Sequence, residues 1–218
     1  MRKRILFFIE SLEGGGAEKV LETMVRHIDK AKYDVTVLAI SGGGKYEKSI
    51  ASQVRYRSLL KHPDSYKGMM RLFYRLKYKL INSWLPLSLV YKLFIPKDFD
   101  VEVAFVEGFA TKLLSASTNR EATKIAWVHV DLIQRPWTIG KGVYGDLAEE
   151  QKAYQKYDKV VCVSKSVEHV MQNDYGLTST LTIYNPVDAP LILRSGEDKS
   201  PFDIDNTCYN IIPVRRLA

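Results

Sequence analysis

Hydrophobic positions along the chain alternate between two rhythms. Ile5, Leu6, Phe7, Phe8 and Ile9 form an unbroken β-prone run, the pattern of a central parallel strand covered on both faces. A glycine turn, Gly14-Gly15-Gly16, follows. Ala17, Val20, Leu21, Met24, Val25 and Ile28 then recur at helical spacing, and residues 35–40 make a second apolar strand. Strand, helix and strand predict a right-handed βαβ unit and hence a parallel sheet. Further short strands are predicted over residues 101–106, 125–130, 159–163 and 181–184, with helices over 145–157 and 164–175. Gly176 stands where a C-cap would close the second of these helices. The alternation predicts a doubly wound α/β domain over residues 1–187.

After Asn185-Pro186 the character changes. Residues 188–206 mix proline, glycine and charge and read as a linker, and residues 207–218 begin a second unit with an apolar strand from position 209. The expectation is a chain that forms the front part of something longer, its second domain absent. A last strand added to the edge of the first sheet is the alternative.

Composition narrows the class. The 218 residues are 46% hydrophobic and 26% charged, which excludes collagen-like and disordered chains. Cys162 and Cys208 are too few to staple a disulfide scaffold or to make a four-ligand zinc site alone, and read as free thiols. Arg2, Lys3 and Arg4 precede the first apolar run, but that run ends after five residues at Glu10 and is a strand rather than a signal peptide. No apolar stretch reaches the ~20 residues of a membrane span.

The formal charge of +7 has a single address. Residues 61–97 hold eight basic side chains against Asp64 alone, so this insertion carries the whole excess. On a helical wheel Met69, Leu72, Phe73, Leu76 and Leu80 share one face, and Lys67, Arg71, Arg75 and Lys79 lie opposite. Trp84, Tyr91 and the run 85–94 extend the amphipathic pattern. Such a segment fits an anionic membrane surface, or packs its apolar side on the domain. No nucleic-acid motif accompanies the charge.

In an open α/β sheet ligands bind beyond the carboxyl ends of the strands, which selects the loops worth reading. Gly14, Gly15 and Gly16 open a helix, where close backbone approach and free N–H groups suit a phosphate. Lys19 replaces the third glycine of a dinucleotide fingerprint, and no Gly-Lys-Ser/Thr closes a Walker loop. Glu107 and Gly108 follow the 101–106 strand, and His129 and Asp131 follow 125–128. Ser164 and Asn185 end the later strands, Ser164 also being a candidate helix cap. A histidine at a strand end is a ligand contact or a hydrogen-bonded framework residue. No catalytic triad or metal-spaced cluster stands out.

The order of these pieces resembles the N-terminal half of a glycosyltransferase of family 4, with the GT-B architecture of two Rossmann-like domains facing a cleft. The resemblance is carried by residues 5–9 with Gly14-Gly15-Gly16-Ala17-Glu18-Lys19-Val20-Leu21, by Trp127-Val128-His129, and by Asp158-Lys159-Val160-Val161-Cys162-Val163-Ser164. Tyr184-Asn185-Pro186-Val187-Asp188 is similar to the passage into the second domain. Pro213-Val214-Arg215-Arg216-Leu217-Ala218 is similar to that domain's first strand and turn, with Arg215 where the family usually has glycine.

The resemblance implies transfer of a sugar from a nucleotide-sugar donor to a lipid-linked or polysaccharide acceptor, with retention at the anomeric carbon and without metal or cofactor. It sets the glycine loop near the donor diphosphate and acceptor, and His129, the catalytic candidate, beside the transferred sugar. Glu107, Gly108, Asp131, Ser164 and Asn185 join the binding set. The second domain, with the family's arginine-lysine pair and paired glutamates, is missing, so the chain alone is expected to be inactive. With the basic insertion, the expected location is cytoplasmic, peripheral at the inner face of the membrane. Two other readings compete: a Rossmann oxidoreductase, opposed by the missing glycine, and a non-catalytic acceptor- or membrane-binding module serving a partner chain.

Overall fold

The computed structural model describes residues 1–68, 72, 76, 85–196, 207 and 209. Among them a parallel sheet of seven strands runs in the order β3-β2-β1-β4-β5-β6-β7. The strands are β1 (Lys3–Ile9), β2 (Tyr33–Ser41), β3 (Arg55–Leu60), β4 (Val101–Ala104), β5 (Thr123–Val128), β6 (Lys159–Cys162) and β7 (Thr180–Thr182). The predicted doubly wound α/β class is observed, and each strand predicted within residues 1–187 is present with shifts of a few residues at its ends.

Both faces of the sheet are buried, which is why its central strands read as unbroken apolar runs. Leu6 and Phe8 of β1 point into one core with Leu38, Ala126, Val128, Val160 and Cys162. Phe7 and Ile9 point into the other with Val35, Val37, Trp127 and Val161. Helices α1 (Gly16–His27) and α2 (Glu47–Ala51) cover the second core through Val20, Leu21, Val25 and Ile50. The first is covered by α3 (Leu87–Phe94), α4 (Phe109–Leu114), α6 (Leu147–Tyr154) and α7 (Lys165–Asn173), while α5 (Trp137–Gly140) is a single turn before α6.

Local sequence explains the helix ends. Asp146 caps α6 by accepting from the Glu149 N–H at 2.7 Å, and the Glu149 carboxylate accepts from the N–H of Gly145, the residue before the cap. Ser164 caps α7 by accepting from the Val167 N–H at 3.3 Å. Gly176 takes φ +66°, and the Leu177 N–H donates back to the Met171 carbonyl, the reversal expected of a glycine at this position.

Three features add to the sequence reading. Strand β3 was not expected, because as an edge strand it buries only Leu60 fully and carries Arg55, Arg57 and Ser58 outward. The amphipathic stretch 85–94 is helix α3, whose Val90 and Tyr91 are buried in the core, so this part of the basic insertion packs on the domain. Part of the expected linker is helix α8 (Ala189–Gly196). It belongs to a second compact unit, Val187–Ala218, and the rest of the chain, Met1–Pro186, forms the main unit. The strand expected from position 209 lies outside the described residues, except for Tyr209, which is exposed. Cys208 also lies outside them. Cys162 is a buried free thiol whose pKa burial pushes up to about 12, a packing residue rather than a nucleophile.

Candidate functional site

Strand β1 is flanked by β2 on one side and β4 on the other, so the chain leaves it in both directions. In open α/β sheets such a reversal is where a crevice lies at the carboxyl edge and ligands bind. Glu10 ends β1, Phe105 to Gly108 follow β4, and His129 follows β5, so strand order gathers residues far apart in the chain.

His129 stands on a column of aromatic rings. Phe7 meets Phe105 edge-on at 5.6 Å, Phe105 lies 5.1 Å from Trp127, and His129 lies 5.2 Å from Phe105 and stacks on Trp127 at 6.5 Å. Trp127 belongs to the core covered by α1, so the imidazole and the glycine loop that opens α1 share one side of the sheet. The Nε2 of His129 lies 2.9 Å from the Phe105 carbonyl oxygen. A carbonyl can only accept, so Nε2 carries the proton and Nδ1 keeps a lone pair. Burial holds the imidazole pKa down to about 4, leaving the ring neutral near pH 7.

Two carboxyl groups tie the strand ends together. Glu10 Oε1 accepts from the Phe109 N–H at 2.7 Å. Glu107 Oε1 accepts from the N–H groups of His129 and Val130, the latter at 2.9 Å. Burial raises both pKa values, that of Glu107 to about 7, against the lowering effect of these N–H donors. Gly108 between them has φ +88°, and a Cβ there would stand 2.7 Å from the Trp137 ring and 2.9 Å from Glu10 Oε1. Glycine is therefore required by conformation and by space. Lys141 lies 5.6 Å over the Trp137 ring and favours the charged form of Glu10.

The glycine loop has a partner that the sequence reading passed over. Gly44, at φ +100°, packs its α-carbon against the Leu12 backbone, where a Cβ would fall 2.4 Å from the carbonyl carbon. The Tyr46 N–H donates to the Leu12 carbonyl oxygen at 3.2 Å. Gly14 has φ +134°, Gly15 occupies the N-cap of α1 without a side-chain cap bond, and nothing stands within 4 Å of a Cβ placed on Gly16.

The expected site residues thus divide. Gly14, Gly15, Gly16, Gly108 and His129 sit at the carboxyl edge around the crevice. Glu107 sits there too, but it is 4% exposed and faces inward onto backbone amides rather than outward to a ligand. Asp131 Oδ1 accepts from the N–H groups of Ile133 and Gln134, both at 2.9 Å, and shapes its own loop. Ser164 caps α7, and Asn185 is exposed beyond the outermost strand β7, away from the cluster. Lys67 is exposed, while Arg71, Arg75 and Lys79 lie outside the described residues. Glu10, Trp137 and Lys141 were not singled out from sequence. For Glu10 the signal was present, since a carboxylate directly ending the central apolar run must lie at the crevice. Among the described residues no cluster of three metal-ligating side chains occurs, and no helix is long and apolar enough to cross a membrane.

Comparison with known proteins decides the family. The family model described as Glycosyltransferase Family 4 matches residues 14–190. The chain belongs to glycosyltransferase family 4. No curated protein sequence matches it. Among solved structures it is similar to the lipopolysaccharide outer core galactosyltransferase WaaB in its apo form, at 13% identity and TM-score 0.51, over 84% of this chain and 46% of that one. It is also similar to Anabaena Alr3699/HepE in complex with UDP and glucose, at 16% identity and TM-score 0.52, over 87% of this chain and 46% of that one. These likenesses show the GT-B-type Rossmann fold. The family 4 chain described here spans about half the length of both.

Proposed function

We propose that this chain is the acceptor-side half of a retaining glycosyltransferase, which moves a sugar from a nucleotide-sugar to a lipid-linked or polysaccharide acceptor. In that reaction the bond from the anomeric carbon to the donor phosphate breaks. A bond to the acceptor oxygen forms on the same face, and the acceptor's proton leaves with the nucleoside diphosphate. Neither metal nor cofactor is required, and nucleic acid is not a partner. Transfer also needs a donor-binding half, so residues 1–218 by themselves are expected to be inactive.

The observation that carries the reading is His129: a neutral imidazole, fixed at the crevice with its Nδ1 lone pair uncommitted, within a family 4 chain. Such a ring accepts a hydrogen bond from a sugar hydroxyl and orients it; it does not act as a cation. The open N-terminus of α1 suits the diphosphate. HepE, a structural relative, was solved with UDP and glucose, which supports a nucleotide-sugar donor.

An anionic membrane surface is the proposed site of action, at the inner face of the membrane. Leu72, Leu76, Leu89 and Leu93 are exposed, and Lys67, Lys92 and Lys97 are exposed in the same insertion.

The test is NMR on the labelled chain with candidate acceptors, polyprenyl-linked sugars and oligosaccharides, and with nucleotide-sugars. Shifts confined to Gly14–Gly16, Gly108 and His129 are expected, together with no turnover. Binding elsewhere on the sheet, or transfer at rates of an intact enzyme, would overturn the respective part of the reading.

A further inference from the structure

We propose that Glu107 is a positioning residue for sugar transfer: buried beneath the crevice, its carboxylate holds His129 in register through the backbone amides of His129 and Val130. The inference rests on the reading of His129 as the group that touches the sugar.

The geometry is that of a clamp with both jaws on one strand end. Strand β5 pairs with β4 up to Ala126 and with β6 up to Val128, so the next two N–H groups leave the sheet without a ladder partner. Buried or half-buried amides need an acceptor. Glu107, 22 residues earlier in the chain, supplies one oxygen to both. The far end of the same histidine is held by the Phe105 carbonyl at 2.9 Å, two residues before Glu107. The Phe105 N–H in turn donates to the Phe8 carbonyl of β1 at 2.9 Å. The backbone and the ring of His129 are therefore both referenced to the end of β4, and through it to the central strand. A single bond to the ring would leave the histidine free to pivot; the second attachment removes that freedom.

The acceptor is strongest as a carboxylate, because hydrogen bonds to an ionised oxygen are roughly twice as strong as neutral ones. Glu10 after the end of β1, His129 after β5 and Tyr154 from α6 are the groups that act on Glu107, and burial together with the Glu10 charge raises its pKa to about 7. Near neutral pH the clamp is therefore adjustable: firm above the midpoint, looser below it. Glu107 is 4% exposed and leaves no room for a ligand on its carboxyl group, so it acts through His129.

NMR on the chain itself reads the clamp without any need for activity. The amide resonances of His129 and Val130 are expected to titrate together with a midpoint of about 7, and to stay still in Glu107→Gln, which keeps an acceptor and loses the charge. In Glu107→Ala the ring nitrogens of His129 are expected to lose their single-tautomer signature, while amides of β2 and β3 remain unmoved and report an intact fold. In the completed enzyme, Glu107→Ala is expected to lower kcat at least ~tenfold with KM within about twofold. Glu107→Gln is expected to remove the acid limb near neutral pH and to retain more turnover than the alanine variant. Amides that fail to titrate, or a ring that stays fixed in Glu107→Ala, would overturn the clamp even if His129→Ala is inactive. A freed ring with unchanged turnover would overturn the role of His129 in transfer and that of Glu107 with it.

Discussion

The Nε2–H of His129 donates to the carbonyl oxygen of Phe105 at 2.9 Å, a bond across 24 residues of sequence that decides which imidazole nitrogen carries the proton. Because that carbonyl cannot donate, Nδ1 is the free nitrogen, and the low pKa of about 4 keeps it unprotonated in ordinary buffers. Long-range proton–nitrogen spectra of the ring are expected to show the Nε2–H tautomer from pH 8 down to about 5. In the completed enzyme, His129→Ala should cost at least ~tenfold in turnover. A large loss of thermal stability with turnover unchanged would mark His129 as framework only.

Stability against pH gives a signed test of the same pair. Glu107 has a folded pKa near 7 against an ordinary 4.5, so the folded state binds more protons between those values and its contribution falls as pH rises. His129 has a folded pKa near 4 against 6.5, so the unfolded state binds more protons there and stability rises with pH. Each slope is at most about 1.4 kcal/mol per pH unit, and the two oppose each other over the shared window. Urea unfolding is expected to show His129→Gln more stable at pH 5 than at pH 7, relative to the unmodified chain. Glu107→Gln should show the reverse. Parallel curves for all three proteins would contradict the assignment.

Two glycines at the crevice are expected to separate folding from binding. Gly108→Ala forces a side chain into φ +88° and to 2.7 Å from the Trp137 ring, and should destabilise the chain by about 1–3 kcal/mol in thermal or urea melts. A Cβ at Gly16 has nothing within 4 Å, so Gly16→Val should leave the melt nearly unchanged while abolishing donor-dependent shifts at the loop. Unchanged ligand response in Gly16→Val would reduce the loop to a turn.

Ser164→Ala should remove the α7 cap and cost about 1 kcal/mol without altering any ligand titration, because the side chain is committed to the Val167 N–H. A selective loss of ligand binding at unchanged stability would restore it to the site.

Vesicle flotation tests the basic insertion. The chain is expected to bind anionic vesicles at low salt and neutral ones little, with Lys67, Arg71, Arg75 and Lys79 changed to glutamine removing most of the binding. Each such charge contributes about 1 kcal/mol near an anionic surface. Replacing the exposed Leu89 and Leu93 by serine should weaken it further without unfolding α3, since Val90 and Tyr91 hold that helix to the core. A chain that stays in solution with anionic vesicles would end the membrane reading.

Sequence alone determined the α/β class, the strands at β1, β2, β4, β5, β6 and β7, and the glycine loop that opens α1. A strand covered on both faces must be apolar at consecutive positions, and a helix lying on a sheet must repeat every three to four residues, so these elements carry their burial in local composition. It also placed Ser164 and Gly176 at helix ends, where capping is a matter of neighbouring residues. Tertiary structure decided everything that depends on strand order. Edge strand β3 has no such pattern because one side meets solvent. Residues 85–94 present the same amphipathic face to a lipid surface or to a core, and only the sheet beneath shows Val90 and Tyr91 taken by the core. Glu10 meets Phe109 and Glu107 meets His129 because β1, β4 and β5 lie side by side. A carboxylate's direction, inward onto amides or outward to a ligand, is set by those long-range neighbours and leaves no trace in the residues beside it.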